Sequence, residues 1–164
     1  MLVLGVDPGS RVTGYGLVEK NKNRITCVHC GKISLSPKAP FYERIHHIFE
    51  AMVEIMSTYQ PREMAIEDVF YAKNFQSSLK LGHARGAVLI AAVQCKVRIF
   101  EYAPLEIKKS VAGYGRASKE QVRSMIRVIL NLKSNLGLDT SDALATAVCH
   151  LNWSRFEGVL SNKK

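Results

Sequence analysis

The sequence predicts an α/β protein built on one five-stranded mixed sheet with helices on both faces. Three observations predict it. Three apolar segments follow one another near the N-terminus with only short turns between them. Two later apolar segments are each reached through a stretch of helical period. Two further helical patterns fill the last third of the chain. Short turns make an antiparallel meander, whereas a helical crossover returns the chain parallel to a strand of the same sheet.

The first strand is Leu2–Asp7, "LVLGVD", apolar on both faces until its last residue. The second covers residues 13–19 and the third Arg24–Ser34, with "KNKN" as the polar hairpin turn. In "PFYERIHHIFEAMVEIMSTYQP", Ile45, Ile48, Phe49, Met52, Met56 and Tyr59 recur at helical spacing, and Gln60-Pro61 stops the helix. "REMAIED" is a short buried strand, and "SSLKLGHARGAVLIAAV" a helix rich in small residues. "VRIFEY" is the fifth strand, ending near Pro104. "SKEQVRSMIRVILNLK" is a helix with Ser118 and Gln121 at capping-box spacing and Val122, Met125, Ile126 and Ile129 as its apolar face. The last helix starts between Thr140 and Asp142 and runs through "ALATAVCHLNW". The order is βββ-α-β-α-β-α-α, in one domain over residues 1–156 followed by a polar tail, 157–164.

The chain has 164 residues, 47% of them hydrophobic, enough for a single substantial core. No apolar run reaches the roughly 20 residues of a membrane helix, and Met1 opens directly into the first strand. A cytoplasmic protein without a membrane partner is expected. The 23 lysines and arginines outnumber 14 acids, a net charge of +9, which suits a polyanionic partner such as nucleic acid. Cys27 and Cys30, in "CVHCG", are the one close cysteine pair, too few for a structural zinc site. Strand alternation puts Cys27 and His29 on one face and Cys30 on the other.

Acids end two otherwise apolar strands: Asp7 closes "LVLGV" and Glu67 closes "MAI". In open α/β sheets, sites form beyond the carboxyl ends of parallel strands. If these strands are neighbours, the two carboxylates share one rim. Asp139 and Asp142, three apart in "LDTSDALATA", lie on one side of a helix. Ala143, Ala145 and Ala147 let that helix lie close to the sheet. Each acid alone has an ordinary explanation: Asp7 as a turn opener, Glu67 as a strand end in solvent, Asp139 as a helix cap. Together they form a cluster whose mutual repulsion a divalent hard cation relieves. Oxygen ligands without a histidine or cysteine pair suit Mg²⁺ or Mn²⁺ better than zinc. Two such ions clamp the attacking and leaving oxygens of a phosphodiester.

"GVDPGSRVTGYG", "AIEDVFYAKN", "LKLGHARG", "GYG" with "ASKEQV", and "DTSDALATA" resemble, in order and over residues 2–153, the bacterial Holliday junction resolvases of the RuvC family. The resemblance implies a ribonuclease H-like fold and a homodimer. It implies Mg²⁺-dependent cutting of two opposed strands of a four-way DNA junction, in recombination and repair, alongside the branch-migration complex RuvAB. It places four catalytic, metal-holding carboxylates at Asp7, Glu67, Asp139 and Asp142; some members carry histidine at the position of Asp139. It also implies a modest preference for a T-rich core.

Phe70, three residues beyond Glu67, falls where the family places an aromatic that stacks on an unpaired base. Such stacking is worth about 1–3 kcal/mol per base. Lys119, Arg123 and Arg127 are spaced by four beside an apolar helix face, and Lys108, Lys109 and Arg116 flank "VAGYG". These, with Arg11 and Lys80, are the candidate phosphate contacts, and the family singles out Lys108 and Lys119 near the scissile bond. "LKLGHARGAVLIAAV" is apolar over more than one face, so it is either wholly internal or a dimer surface; the family implies the latter. Three alternatives fit part of the pattern: a non-cleaving DNA-binding module, a ribonuclease H acting on RNA–DNA hybrids, and an actin-like ATPase, which needs two such domains.

Overall fold

The computed structural model describes residues 1–22, 24–68, 75–133 and 136–161, the last eight of these by backbone alone. The elements run β1 (Leu2–Asp7), β2 (Val12–Asn21), β3 (Arg24–Ser34), α1 (Phe41–Tyr59), β4 (Glu63–Glu67), α2 (Phe75–Gln94), β5 (Arg98–Tyr102), α3 (Pro104–Ala112), α4 (Lys119–Ile129) and α5 (Leu138–Ser161). They form one five-stranded sheet in the order β3-β2-β1-β4-β5. The meander is antiparallel, and β1–β4 and β4–β5 are parallel, as the crossovers predict.

Period-two alternation divides the core between the two faces of the sheet. Leu4, Val6, Met64 and Ile66 face α1 and α2, where Ile48, Met52 and Met56 are fully or nearly fully buried. Val3, Ala65 and Val18 face α3, α4 and α5. Helix α5 lies directly on the strand backbones, because β1 and β2 carry glycine beneath it. A Cβ on Gly5 would stand 2.0 Å from the Ala143 carbonyl oxygen, and one on Gly14 2.1 Å from that of Asp139. A Cβ on Gly16 would meet the Leu144 side chain at 2.4 Å. Ala143, Ala145 and Ala147 complete this smooth contact.

Four features depart from the expectation. Helix α3 replaces the loop expected after β5. Pro104 supplies its fixed φ at the first helical position, the Glu106 carboxylate accepts from the Ala103 N–H at 2.8 Å, and Gly113 ends it at φ 86°. Lys108 and Lys109 therefore stand on a helix. Second, Leu17 pairs with His29 but Val18 with Cys27, so Val28 is the extra residue of a β-bulge. The bulge resets the alternation: Cys27 and Cys30 share the α5 face, and His29 turns the other way, stacked on Tyr59 with ring centroids 5.2 Å apart. Third, Met125 is exposed, leaving Val122 and Ile126 as the buried face of α4. Fourth, α5 opens earlier than expected and its backbone continues to Ser161. The Ser118 capping box forms as expected, with Gln121 N–H donating to Ser118 Oγ at 3.2 Å.

Candidate functional site

The parallel pairing of β1 with β4 matches Val6 to Ile66, so the next residues, Asp7 and Glu67, leave the sheet side by side. Both lie on the α5 face by alternation from Gly5 and Ala65. The opening turn of α5 brings Asp139 and Asp142 over the same rim, held there by the Thr140 hydroxyl donating to the Gly31 carbonyl at 3.2 Å. Carboxylates from three separated segments are thus brought to one rim, within electrostatic reach of Asp7.

Their electrostatics report the crowding. The Asp7 carboxyl is raised from 3.8 to about 7, first by burial and then by the charges of Asp142, Glu67 and Asp139, with Lys119 opposing. Glu67 is raised by burial and by Asp142, against the pull of Lys119 and Lys108. The Lys119 ammonium donates to Asp142 Oδ2 at 3.0 Å and is itself raised by that contact. A cleft of about 70 Å³ is lined by Glu67, Lys108, Lys119, Asp142 and Thr146, among others. Two lysines against four acids leave the rim short of positive charge. Among the described residues no three acidic, histidine or cysteine side chains already converge as a metal-binding group. The donor set is nevertheless all carboxylate oxygen and partly open, which fits a hard divalent cation.

The other sequence candidates divide. Lys108 on α3 and Lys119 at the start of α4 reach the cleft. Arg116 is exposed between those helices, Arg123 is half-buried on α4, and Arg11 is exposed between β1 and β2. None of these three lines that cleft. Arg127 has its Nε buried without a hydrogen-bond partner, so its stem packs against the domain. Lys80 is exposed on α2. Asp68 is exposed beyond the strand end, and its N–H donates to the Tyr102 carbonyl at 2.8 Å. Phe70 and Tyr71 lie outside the described residues, and Phe75, the first residue of α2, is exposed.

Two supporting residues were not singled out in the sequence. Arg85 of α2 donates from Nη1 to the Glu67 carbonyl at 2.5 Å and from Nη2 to the Glu101 carboxylate, fixing the end of β4. Thr13, fully buried, accepts from the Gly9 N–H at 3.2 Å and donates to the Gly9 carbonyl at 3.0 Å, folding the loop after Asp7 back on β2. The arginine inside "LKLGHARG", one of two charges in an apolar helix, was the available signal for the first. A buried threonine beside "DPGS" carries no comparable signal.

Comparison with known proteins identifies the family. The family model described as crossover junction endodeoxyribonuclease RuvC matches residues 3–150. A protein of that name from Geobacter metallireducens is 48% identical over 160 residues, covering 98% of both chains. One from Pelotomaculum thermopropionicum is 43% identical over 164 residues, covering 99% of this chain and 100% of its own. Thermus thermophilus RuvC, solved in complex with a Holliday junction substrate, superposes with a TM-score of 0.90 at 34% identity over 96% of each chain. The yeast mitochondrial resolvase Ydc2 shares the fold alone, with a TM-score of 0.70 at 12% identity. The fold is that of the ribonuclease H-like resolvases, and the chain belongs to the RuvC family of crossover junction endodeoxyribonucleases.

Proposed function

We propose that this protein is a Holliday junction resolvase, a structure-selective endonuclease that hydrolyses two opposed strands of a four-way DNA junction. One observation carries the reading: Asp7 at the end of β1 lies within reach of the charges of Glu67 from β4 and of Asp142 and Asp139 from α5, and burial together with those charges raises it to about 7. A chain does not gather four carboxylates at the open rim of a basic domain for stability. Acids beside a phosphate groove weaken binding unless a cation fills them, which disfavours a non-cleaving DNA module.

Asp7, Glu67, Asp139 and Asp142 would hold the metal, Mg²⁺ by donor chemistry, two ions per site, with Mn²⁺ as the alternative. When bound, the ions supply the acidity that makes water a nucleophile and the charge that offsets the leaving oxygen. Water adds to phosphorus, the bond to the 3′ oxygen breaks, and the products carry a 5′ phosphate and a 3′ hydroxyl. Lys119 and Lys108, at the cleft, offset negative charge on the phosphate as it passes through the transition state. Arg116, Arg123 and Arg11 would contact flanking phosphates, and Phe70 would stack on a base at the opened junction.

A second copy of this chain completes the selectivity, since two sites related by a two-fold axis match the symmetry of a junction. The surface that supports this is a groove of about 880 Å³ along α1 and α2, lined by Ile45, Phe49, Phe75, Leu79 and Ile90. Phe75 and Ile90, 76% and 63% exposed, extend it into a contiguous apolar patch of the kind that marks an interaction site. Among the described residues no helix is long and apolar enough to cross a membrane. Action on chromosomal junctions, beside the RuvAB branch-migration complex, belongs in the cytoplasm.

The test is cleavage of a mobile four-way junction, linear duplex and an RNA–DNA hybrid in Mg²⁺. The junction alone should be cut, by paired nicks. Asp7→Asn should bind the junction and cut it about a thousand-fold more slowly, or worse, the rate equivalent of several kcal/mol. Preferential cutting of the hybrid would assign a ribonuclease H instead.

A further inference from the structure

Eight residues past Asp142, α5 buries a histidine that the chemistry above does not use. His150 is 3% exposed and its Nε2 lies 2.7 Å from Oε2 of Glu63, itself 6% exposed. The hydroxyl of Tyr102 lies 2.6 Å from Nδ1. The pairing that satisfies each group has Nε2–H donating to the carboxylate and Nδ1 accepting from the tyrosine. Arg98 donates to the other oxygen of Glu63 from the solvent side. A continuous polar chain therefore runs from β5 through α5 to β4, inside an otherwise apolar layer.

Its position is commensurate with the site. Glu63 and Glu67 stand on the same face of β4, four residues or about 13 Å apart. Asp142 and His150 are eight residues apart on α5, about 12 Å along its axis. The helix leaves the rim as the strand approaches it. His150 thus meets Glu63 at the far end of the same helix–strand pair whose near end sets Asp142 against Glu67. Tyr102 is the register partner of Glu67 on β5 and reaches back to the histidine. Near the rim α5 meets the sheet largely as glycine against alanine, with Leu144 over Gly16 and the Thr140 hydroxyl on the Gly31 carbonyl; this close approach sets the height of the helix above the sheet and leaves its sliding and rotation to directional contacts. Hydrogen bonds are directional and do resist them. Burying polar groups is costly even when they are hydrogen-bonded, and fixing one register among several is the best-attested use of such buried polar pairs.

We propose that His150 and Glu63, with Tyr102, form a positioning clamp that sets the axial register of α5, and through it the spacing of Asp142 and Asp139 from Asp7 and Glu67. The clamp rests on the proposed metal-holding role of those carboxylates. It acts through helix position and touches neither metal nor DNA.

The experiment measures the Mg²⁺ midpoint twice on the full chain. One measurement is the Mg²⁺-induced rise in melting temperature without DNA, and the other is junction cleavage. His150→Leu should shift both midpoints upward ~10-fold, the scale seen when supports behind metal ligands are removed. Tyr102→Phe should shift them less in the same direction, and His150→Gln, which keeps a donor toward Glu63, should recover most of the loss. Met52→Ala, a truncation buried on the other face of the sheet, should lower the melting temperature at least as much with both midpoints unmoved. Unmoved midpoints in His150→Leu, or an equal shift in Met52→Ala, would overturn the clamp. If His150→Leu does not fold, Tyr102→Phe decides the matter alone. Wild-type protein that binds Mg²⁺ but leaves junctions uncut would remove the proposed function while the DNA-free midpoints still test the clamp.

Discussion

The two faces of the sheet are built on opposite principles. The α1–α2 face is filled by large side chains, with Ile48, Met52, Met64 and Ile66 interlocked beneath the helices. On the α5 face the helix crosses β1 and β2 over glycine, so that its backbone rests on strand backbone at Gly5 and Gly14 and the Leu144 side chain fills the space over Gly16. Large side chains tolerate repacking, because rotamers shift to absorb a change. Backbone resting on backbone has no such slack. The carboxylates sit on the rigid face, where their separations are set by main chain, and the exposed apolar groove lies on the adaptable one. Stability and site geometry are thereby assigned to different layers.

Glycines on the two sides sharpen that contrast most strongly. Gly5→Val should destabilise by about 3 kcal/mol or more, at the upper end of overpacking effects, because the new Cβ meets a carbonyl and no side chain can yield. Chemical denaturation measures it, and a loss below about 1 kcal/mol would show that α5 yields where it crosses β1.

A smaller effect isolates the charge carried by the rigid face. Asp7 has a folded value near 7 against 3.8 ordinarily, so the folded state holds its proton more tightly. Stability from this group is therefore greatest below about pH 4, falls as pH rises toward 7, and is flat above. In metal-free protein Asp7→Asn removes the titration. The variant should gain about 2 kcal/mol at pH 8, half of the roughly 4 that a shift of this size carries undiluted, and gain nothing from this source at pH 4. Melting curves in EDTA at both pH values test it, and saturating Mg²⁺ should reverse the order at pH 8.

The smallest effect belongs to the adaptable face. A Cβ on Gly82, inside α2, meets nothing within 4 Å. Gly82→Ala should stabilise the isolated chain by about 0.5–1 kcal/mol through helix propensity. Because Gly82 lines the α1–α2 groove, the same methyl should weaken self-association, which sedimentation at several concentrations would detect.

What could be read from residues alone follows the same division. Apolar segments located β1 and β3, and the regular helical period located α1. The acids were legible because a carboxylate closing an apolar strand is conspicuous. Helix α3 was missed although "APLEIKKSVAG" holds a proline at the first helical position, a glutamate three residues past Ala103, and Ile107 with Val111 four apart. The glycines of "GYG" suggested a loop and drew attention away from the turns before them. The bulge at Val28 was invisible, since one extra residue changes pairing and not composition. His150 and Glu63 were beyond reach for another reason: their meaning lies in a contact between residues 87 apart.

The bulge has a consequence of its own. In the order β3-β2-β1-β4-β5, β3 and β5 are the outermost strands, and each offers unpaired main-chain groups to any neighbour. β5 is only five residues long. β3 has eleven, yet it is kinked at Val28 and carries Arg24 and Lys32 in solvent. A strand that bends and repels its own copies makes a poor template for fibril growth. Many molecules can then crowd along one chromosome without knitting their sheets together.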